Sequence, residues 1–177
     1  MAGQRYCVAG TLVVMSNYRL RYFGDPVLTT RAAEVADIDG ALVSLAEEMV
    51  DVMYDAQGVG LAAPQVGVGR RLFVYQIGDN DPITIVNPVI SEGRGEWEYD
   101  EGCLSIPGLF FPIVRPKEIH MTGYDLDGRE ISLEADELEA RCLQHELDHL
   151  DGKLLLDMLD ADQRRSALIE LRKRSEI

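Results

Sequence analysis

Apolar residues between positions 40 and 56 recur every three or four residues, which is the period of an amphipathic α-helix. Asp39 stands where an N-cap residue is expected, and Gly58 stands where a helix commonly stops. The pattern therefore predicts a helix over 40–56. Its buried face should consist of the apolar side chains Leu42, Leu45, Ala46, Met49, Val52 and Met53.

Short runs of β-branched and aromatic residues follow, separated by glycine, proline and acidic residues. They predict strands at 71–77, 83–90, 96–105, 118–126 and 130–135. The last two runs flank Asp127-Gly128, a dipeptide typical of a tight hairpin turn. Residues 58–69 are rich in glycine instead, and they predict an irregular loop whose backbone approaches another group closely.

Helical character returns after position 135. Asp136 and Glu139 have the spacing of a capping box, and Gly152 provides a stop, so a helix is predicted over 136–151. A last helix is predicted over 161–174. Because the strands are clustered rather than alternating with helices, we expect an α+β fold.

In this fold, small antiparallel or mixed sheets should pack around the helix at 136–151. We expect a single catalytic domain over 1–177. Residues 1–16 are expected to be an N-terminal extension, and residues 160–177 a C-terminal helix.

Composition and charge narrow the possible partners. The 177 residues are 46% hydrophobic and 27% charged, which is close to the globular average and argues against a disordered, collagen-like or coiled-coil chain. The apolar runs are much shorter than the roughly 20 residues that span a membrane. The net charge of −14 opposes nonspecific nucleic-acid binding. We therefore expect neither a DNA nor a membrane partner.

The cysteine count points to a reducing compartment. Three cysteines, Cys7, Cys103 and Cys142, are a poor disulfide framework and fit the cytoplasm. The first residues match a secretory signal only weakly. Another interpretation is that Met15 is the biological start and that residues 1–14 are an upstream extension.

The sharpest chemical pattern is the segment QHELDHLDG. His145 and His149 are four residues apart, so on a helix both imidazoles project from one face and can bind one metal ion. Glu146 lies beside the first histidine and can act as a general base without binding the ion. The alternative is a solvated helix face, but Cys142 and other apolar residues share this face and favour burial.

A catalytic metal site normally has a third protein ligand and an open position. Cys103, in the segment EGCLSIPG, offers a thiolate, although an ordinary buried cysteine is an equally open interpretation. Cys142 competes, but its position one turn before His145 makes closure around one ion difficult. Gln65, in GVGLAAPQ, offers an amide donor for an oxyanion, or it faces water in a turn.

The segments GVGLAAPQ, EGCLS and QHELDHLDG occur in this order. Together they resemble the signatures of the peptide deformylase family, which have the form GxGLAAxQ, EGCLS and QHExDHLxG. The upstream YFGDPVLTTRAAEV resembles the usual start of such chains, and the resemblance extends from about Tyr18 to Leu159. It implies a metal-dependent hydrolase that removes the formyl group from N-formyl-methionyl ends of new polypeptides and releases formate.

The resemblance also implies roles for particular residues. The three implied metal ligands are Cys103, His145 and His149. Glu146 becomes the general acid and base, and Gln65 and the backbone N–H of Leu104 become oxyanion donors. The implied physiological ion is Fe(II), one per chain, with Zn, Ni or Co able to occupy the site.

The resemblance further implies a groove in which main-chain groups pair with an extended peptide. The residues implied to line this groove are Val59, Gly60, Glu101 and Gly102. Arg141 departs from the family pattern, since many members have an apolar residue there, near the pocket for methionine. Its stem could line that pocket with the guanidinium turned outward, or it could change side-chain preference or contact the downstream peptide.

The chain end is basic, with five basic and two acidic residues from Gln163 onward. The resemblance implies that this C-terminal helix can dock on ribosomal RNA, whereas cations are also favourable at a helix C-terminus without any partner.

Two other functions of the protein stay open. One is a general metallopeptidase, which leaves Cys103 and Gln65 without roles. The other is a catalytically silent protein with a structural metal.

Overall fold

The computed structural model describes residues 5–8, 11–14 and 17–175. Its helices are α1 (Gly40–Asp55), α2 (Glu137–Leu150) and α3 (Ala161–Ser175), with short 3-10 helices at Pro26–Thr29, Ala63–Val66 and Leu155–Met158. Its strands are β1 (Arg5–Val8), β2 (Thr11–Val14), β3 (Gly60–Ala62), β4 (Leu72–Tyr75), β5 (Ile83–Arg94), β6 (Trp97–Cys103), β7 (Ile106–Arg115), β8 (Glu118–Tyr124) and β9 (Glu130–Asp136). Within these ranges, no helix has the length and apolar character needed to cross a membrane.

The strands form three antiparallel sheets, which with the separate helices confirm the α+β prediction. The main sheet has the order β3-β4-β5-β8-β9, and β6 and β7 form a separate ribbon. In the described chain β3 is an edge strand. Residues 5–8 and 11–14 of the expected N-terminal extension pair as β1 and β2. The rest of that extension, up to residue 16, lies outside the described residues.

Helix α2 is central because its apolar side chains are buried against the main sheet. Ala140, Leu143 and Leu150 share one cluster with Phe73 and Met121. Full burial of a large apolar side chain stabilises the fold by about 1.5–3 kcal/mol. This cluster therefore holds the helix that carries the QHELDHLDG segment firmly on the sheet.

Helix α1 matches its predicted range 40–56 to within one residue. Its N-cap Asp39 accepts a hydrogen bond from the backbone N–H of Leu42 at 2.8 Å. At its end, Gln57 takes the left-handed conformation with φ +55°, and the backbone N–H of Gly58 donates to the carbonyl oxygen of Met53 at 2.9 Å, so Gly58 follows the helix end as predicted. A Cβ at Gly58 would lie 2.7 Å from Cδ1 of Leu104, so this glycine also allows a close approach.

Strands β3 and β7 differ from the sequence-based prediction. Segment 58–69, predicted as an irregular loop, contains β3 and a 3-10 helix, and all residues of both are buried. Strand β7 pairs with β6 although it contains Pro107, Gly108 and Pro112. Proline cannot donate to a ladder but is tolerated at edges, and both strands of a two-stranded ribbon are edges.

The two predicted glycine turns are confirmed. Asp127-Gly128 joins β8 to β9, with Gly128 at φ +78°. Gly152 follows α2 at φ +72°. The last helix is also confirmed, since α3 matches the predicted range 161–174 closely.

The predicted capping box of α2 is wrong. Asp136 is the N-cap residue, but its side chain makes no capping hydrogen bond. It is also the last residue of β9, where it pairs with Glu118, so the strand sets its conformation. Glu139 accepts a hydrogen bond from the hydroxyl of Tyr75 at 3.0 Å and is thereby held against the sheet.

Candidate metal centre

Cys103, His145 and His149 converge where the β6–β7 ribbon meets α2. Cys103 ends β6, and the two histidines lie one turn apart on α2. Their ligand atoms all lie within 4.8 Å of one another, and Cys103 Sγ is 3.2 Å from His149 Nε2. A tetrahedral ion with bonds of about 2.0–2.3 Å separates its ligand atoms by roughly 3.3–3.8 Å. The three side chains therefore fit one divalent ion.

The electrostatics of this group also favour a cation. Burial alone would raise the pKa of the Cys103 thiol, but His149 and His145 outweigh it and hold that pKa well below its usual range. Burial opposes a charge on His145, yet Cys103 and Glu101 raise the pKa of that imidazole well above its usual value. The negative groups that favour a proton on His145 would equally favour a metal ion. A thiolate is also the form of cysteine that binds metal.

Cys142 is separate from the ligand group and belongs to the core, as the helix spacing suggested. Its thiol lies 3.7 Å from the carbonyl oxygen of Val59. Burial, together with the nearby charge of Glu146, raises the pKa of Cys142 well above its usual value. Cys142 is therefore a neutral, packed thiol.

The buried carboxylate of Glu101 orients His145. Glu101 Oε2 lies 3.1 Å from His145 Nδ1, and Arg115 donates to both carboxylate oxygens at 2.6 and 3.0 Å. Burial alone would raise the pKa of Glu101, but His145 and Arg115 outweigh it and lower that pKa to about 2. An ionised carboxylate at Nδ1 leaves His145 Nε2 to face an ion. Glu101 also borders the cavity described below.

The guanidinium of Arg141 is turned inward, which contradicts one of the alternatives left open by the sequence, an outward guanidinium. Arg141 is only 3% exposed. It donates to Glu101 Oε1 and to the carbonyl oxygens of Trp97 and Ile113. The ionised Glu101 and these carbonyls supply the partners that water would otherwise supply.

Glu146 follows His145 on α2 and is buried beside the ligand group. Its Oε2 has no hydrogen-bond partner among the described residues. Burial raises the pKa of Glu146 to about 7, against the opposing effects of His145 and His149. A carboxylate with a free acceptor atom and a raised pKa can take a proton and return it.

Strand β3 passes very close to Glu146 at Gly60. A Cβ at Gly60 would lie 2.4 Å from Glu146 Oε1 and 2.9 Å from Cys142 Sγ. Real Cβ atoms do not approach other atoms this closely, so the strand needs glycine here. The GVGLAAPQ segment thereby forms one wall of the site.

The amide of Gln65 is oriented by its own loop. Gln65 Oε1 accepts a hydrogen bond from the backbone N–H of Ala62 at 2.8 Å, so Nε2 is directed towards Ser105 Oγ at 3.2 Å and Cys103 Sγ at 3.8 Å. Leu104, together with Ser105, forms the turn between β6 and β7. Gln65 therefore presents a donor on the same side of the site as the backbone of this turn.

Two further residues position the site without having been singled out from the sequence. Ser105 is fully buried against Gln65, and its place in EGCLSIPG is its only sequence signal. Arg115 is buried between Glu101 and Asp148. The one sequence signal for Arg115 was its place as a charged residue at the end of an otherwise apolar segment.

A cavity of about 640 Å³ opens beside these groups. Gln65, Cys103 and Glu146 lie in its wall, as do the backbones of Gly60 and Gly102. Exposed apolar side chains border this cavity, and they are Val59, Tyr99, Phe110 and Leu138. A concave, mostly apolar cavity with a few converging polar groups is typical of a substrate site.

Comparison with known proteins decides the family. The family model described as polypeptide deformylase matches residues 17–165. This chain belongs to the peptide deformylase family. The peptide deformylase of Acidothermus cellulolyticus is 46% identical over 154 residues, covering 87% of this chain and 85% of that protein. Peptide deformylases are metal-dependent hydrolases that remove the N-formyl group of nascent peptides.

Solved deformylase structures share this fold. The peptide deformylase of Legionella pneumophila has a TM-score of 0.86 and 42% identity, covering 90% of this chain and 95% of that one. The enzyme of Synechococcus elongatus, solved in complex with actinonin, has a TM-score of 0.85 and 38% identity, with 89% of both chains covered. About nine-tenths of this chain therefore has the architecture of a deformylase.

The approach of β3 to Glu146 yields a prediction for deformylase activity. We expect Gly60→Ala to lower kcat/KM for formate release from formyl-Met-Ala-Ser by about 100-fold, because a displacement on the order of 1 Å in a reacting group has this effect. Steady-state kinetics with the metal-loaded protein measure it.

Gly69→Ala is the matched control for this substitution. A Cβ at Gly69 meets nothing within 4 Å, so this variant should keep the parent activity. Gly60→Ala protein that is folded and has the parent kcat/KM would contradict the inferred contact with Glu146.

Proposed function

We propose that this chain hydrolyses the formamide bond at the N-formyl-methionyl end of new polypeptides, releasing formate and a free amino terminus. The observation that carries the proposal is the buried Oε2 of Glu146, which has no hydrogen-bond partner in the described part of the chain and lies beside the group Cys103, His145 and His149. The adjoining cavity gives a peptide end access to both. Membership of the deformylase family supports the same reaction.

The reaction would use two groups, a divalent ion and the carboxylate of Glu146. A divalent ion held by Cys103, His145 and His149 would polarise the formyl oxygen and lower the pKa of water. Glu146 would take a proton from the attacking water as the new carbon–oxygen bond forms. It would then donate that proton to the leaving amine as the carbon–nitrogen bond breaks.

The negative formyl oxygen would be stabilised by two N–H donors. One is Nε2 of Gln65, whose direction follows from the bond between its own Oε1 and Ala62. The other is the backbone N–H of Leu104. Loss of one such donor typically raises the barrier by about 2.7–4 kcal/mol.

The peptide would bind as an additional strand along β3. The Val59 carbonyl already accepts a hydrogen bond from the N–H of Gln76 at 2.9 Å. Because polar groups alternate in an antiparallel strand, the N–H and carbonyl of Gly60 should point to the open edge. Gly102 and Glu101, in β6, border the cavity, and their main-chain groups would contact the same peptide.

The cavity beside β3 suits an unbranched apolar side chain such as methionine. Tyr99, Leu138 and Cys142 are among its lining residues. Arg141 also borders it, but its charge is paired with Glu101. A paired guanidinium with a buried stem does not repel an apolar side chain as a free charge would.

Replacing the proposed general acid and base tests the reaction directly. We expect metal-loaded Glu146→Gln to lose about 100-fold to 10,000-fold in kcat for formyl-Met-Ala-Ser, because general acid–base groups contribute this much. Formate release and metal content are measured on the same protein. Glu137→Gln, an exposed position on the same helix, should retain the parent rate.

The other functions predict different results in this assay. Cleavage of unformylated peptides would indicate a general metallopeptidase. Stoichiometric metal without any turnover by the parent protein would indicate a structural metal in a catalytically silent protein. Either result would overturn the proposal.

The proposed ion in the cell is Fe(II), and Zn, Ni or Co could replace it in a preparation. Because the Cys103 thiolate donates charge to the ion, both iron and sulfur should be sensitive to oxygen. We expect the Fe(II) form to lose activity in air and the Ni form to keep it. Activity assays paired with metal analysis check this, and an air-stable Fe(II) form would contradict it.

We place the reaction in the cytoplasm, where formylated peptides are made. The free thiols of Cys103 and Cys142 suit a reducing compartment.

We also propose one catalytic domain over 1–177, with 1–16 as an extension. The start of the family match at residue 17 supports this division.

Helix α3 is the proposed ribosome contact. Arg164 and Arg174 pair with acidic residues of this chain, whereas Arg165 and Arg172 are exposed. Ala167 is buried in the cluster that also contains residues of β7, so α3 is part of the folded domain. An exposed cationic helix face of this kind could bind RNA phosphates.

We expect the double variant Arg165→Glu/Arg172→Glu to lose salt-sensitive cosedimentation with ribosomes while keeping peptide hydrolysis. The matched control, Arg94→Glu/Arg129→Glu, makes the same charge change at exposed positions on β5 and after the β8–β9 turn. Equal cosedimentation of both double variants would leave α3 as a solvated helix with no ribosomal role.

A further inference from the structure

We propose that Arg141 is a positioning residue of the metal centre. It holds one oxygen of the Glu101 carboxylate, while the other oxygen faces His145 Nδ1. This inference rests on the proposed function, because it requires a metal ion at Cys103, His145 and His149.

The first support is that the Glu101 carboxylate bridges two residues on successive turns of α2. Arg141 and His145 are four residues apart on α2, so they lie on the same helix face. Arg141 Nη1 is 2.5 Å from Glu101 Oε1, and His145 Nδ1 is 3.1 Å from Glu101 Oε2. The carboxylate cannot rotate without losing one of these contacts.

The second support is that Arg141 is itself held by both strands of the ribbon. Its guanidinium donates to the carbonyl oxygen of Trp97 in β6 and to that of Ile113 in β7, the latter at 3.1 Å. Its Cζ lies 4.9 Å from the Trp97 ring centroid and 5.8 Å from that of Tyr99. The two aromatic rings are stacked at 4.8 Å. A side chain that donates to several acceptors while lying over aromatic rings suits arginine better than lysine.

The third support is the charge balance of the buried network. Two carboxylates, Glu101 and Asp148, face two guanidinium groups, Arg115 and Arg141. Without Arg141, Glu101 keeps its two bonds to Arg115, so no buried charge loses all of its partners. Arg141 Nε is buried without a hydrogen-bond partner among the described residues, and methionine would remove that donor. Arg141→Met should therefore fold, with a less constrained Glu101.

The network contains its own spectroscopic reporter. Trp97 is the only tryptophan of the chain. Its ring contacts Arg141, which contacts Glu101, which contacts the ligand His145. Metal binding should therefore change the intrinsic fluorescence of the folded protein, and this change should depend on Arg141.

The test is Co(II) binding to the full chain, followed by visible absorption and by Trp97 emission. We expect Arg141→Met to weaken Co(II) affinity by about 10-fold to 100-fold, which is typical when an outer residue that orients a ligand is lost. The metal-dependent change in Trp97 emission should disappear. Arg141→Lys should recover only part of the Co(II) affinity, because lysine restores the positive charge but not the planar guanidinium group.

Arg71→Met is the matched control, since Arg71 is buried and ion-paired with Asp151 but does not contact Glu101. It should keep the parent Co(II) affinity even if it unfolds at a lower temperature. Kinetics with two formylated peptides that differ in their first side chain complete the test. A positioning residue lowers kcat for both peptides alike, whereas a residue that selects the side chain changes their KM ratio.

The outcomes separate the two proposals. Parent protein that binds Co(II) tightly, together with folded Arg141→Met of equal affinity and unchanged emission response, would overturn the positioning role alone. Affinity lost equally in Arg141→Met and Arg71→Met would also overturn it, since the effect would then be general destabilisation. Parent protein that binds no Co(II) would overturn the proposed function itself.

Discussion

The ionised carboxylate of Glu101 is the interaction on which the arrangement of the site depends. It is buried within the β6–β7 ribbon, and its partners come both from that ribbon and from α2. A buried carboxylate is costly unless it is paired and hydrogen-bonded. The ribbon and the helix are therefore held in one relative position, which brings Cys103 beside the two histidines.

Strand β3 imposes a second constraint on the arrangement of the site. Strand β3 can lie against Glu146 because position 60 has no side chain. The same segment then directs Gln65 towards Ser105 and Cys103. Two backbone hydrogen bonds from the preceding segment, Arg21 N–H to the Gln65 carbonyl and Phe23 N–H to the Ser105 carbonyl, join these walls. Glu146, Gln65 and Cys103 thus come from separate parts of the chain that main-chain contacts hold together.

The sequence predicted correctly those helices and turns that depend on residues close to one another in the chain. The apolar period of α1 and the Asp127-Gly128 turn are examples, because helix faces and tight turns depend on residues a few positions apart. The same reasoning predicted no strand at β7, whose prolines are tolerated because both strands of the ribbon are edges. It also failed at Asp136, whose pairing in β9 prevails over its capping propensity.

The sequence by itself determined the chemistry that this protein can offer. Spacing on one helix places His145 and His149 on the same face with Glu146 beside them, because helical geometry is a local property. The motif resemblance already implied Cys103 rather than Cys142, but only the tertiary structure showed its thiol within 4.8 Å of the ligand atoms of the two histidines and Arg141 turned inward to Glu101. Those outcomes depend on the burial and pairing of charges between residues about 40 positions apart, and no local pattern encodes such contacts.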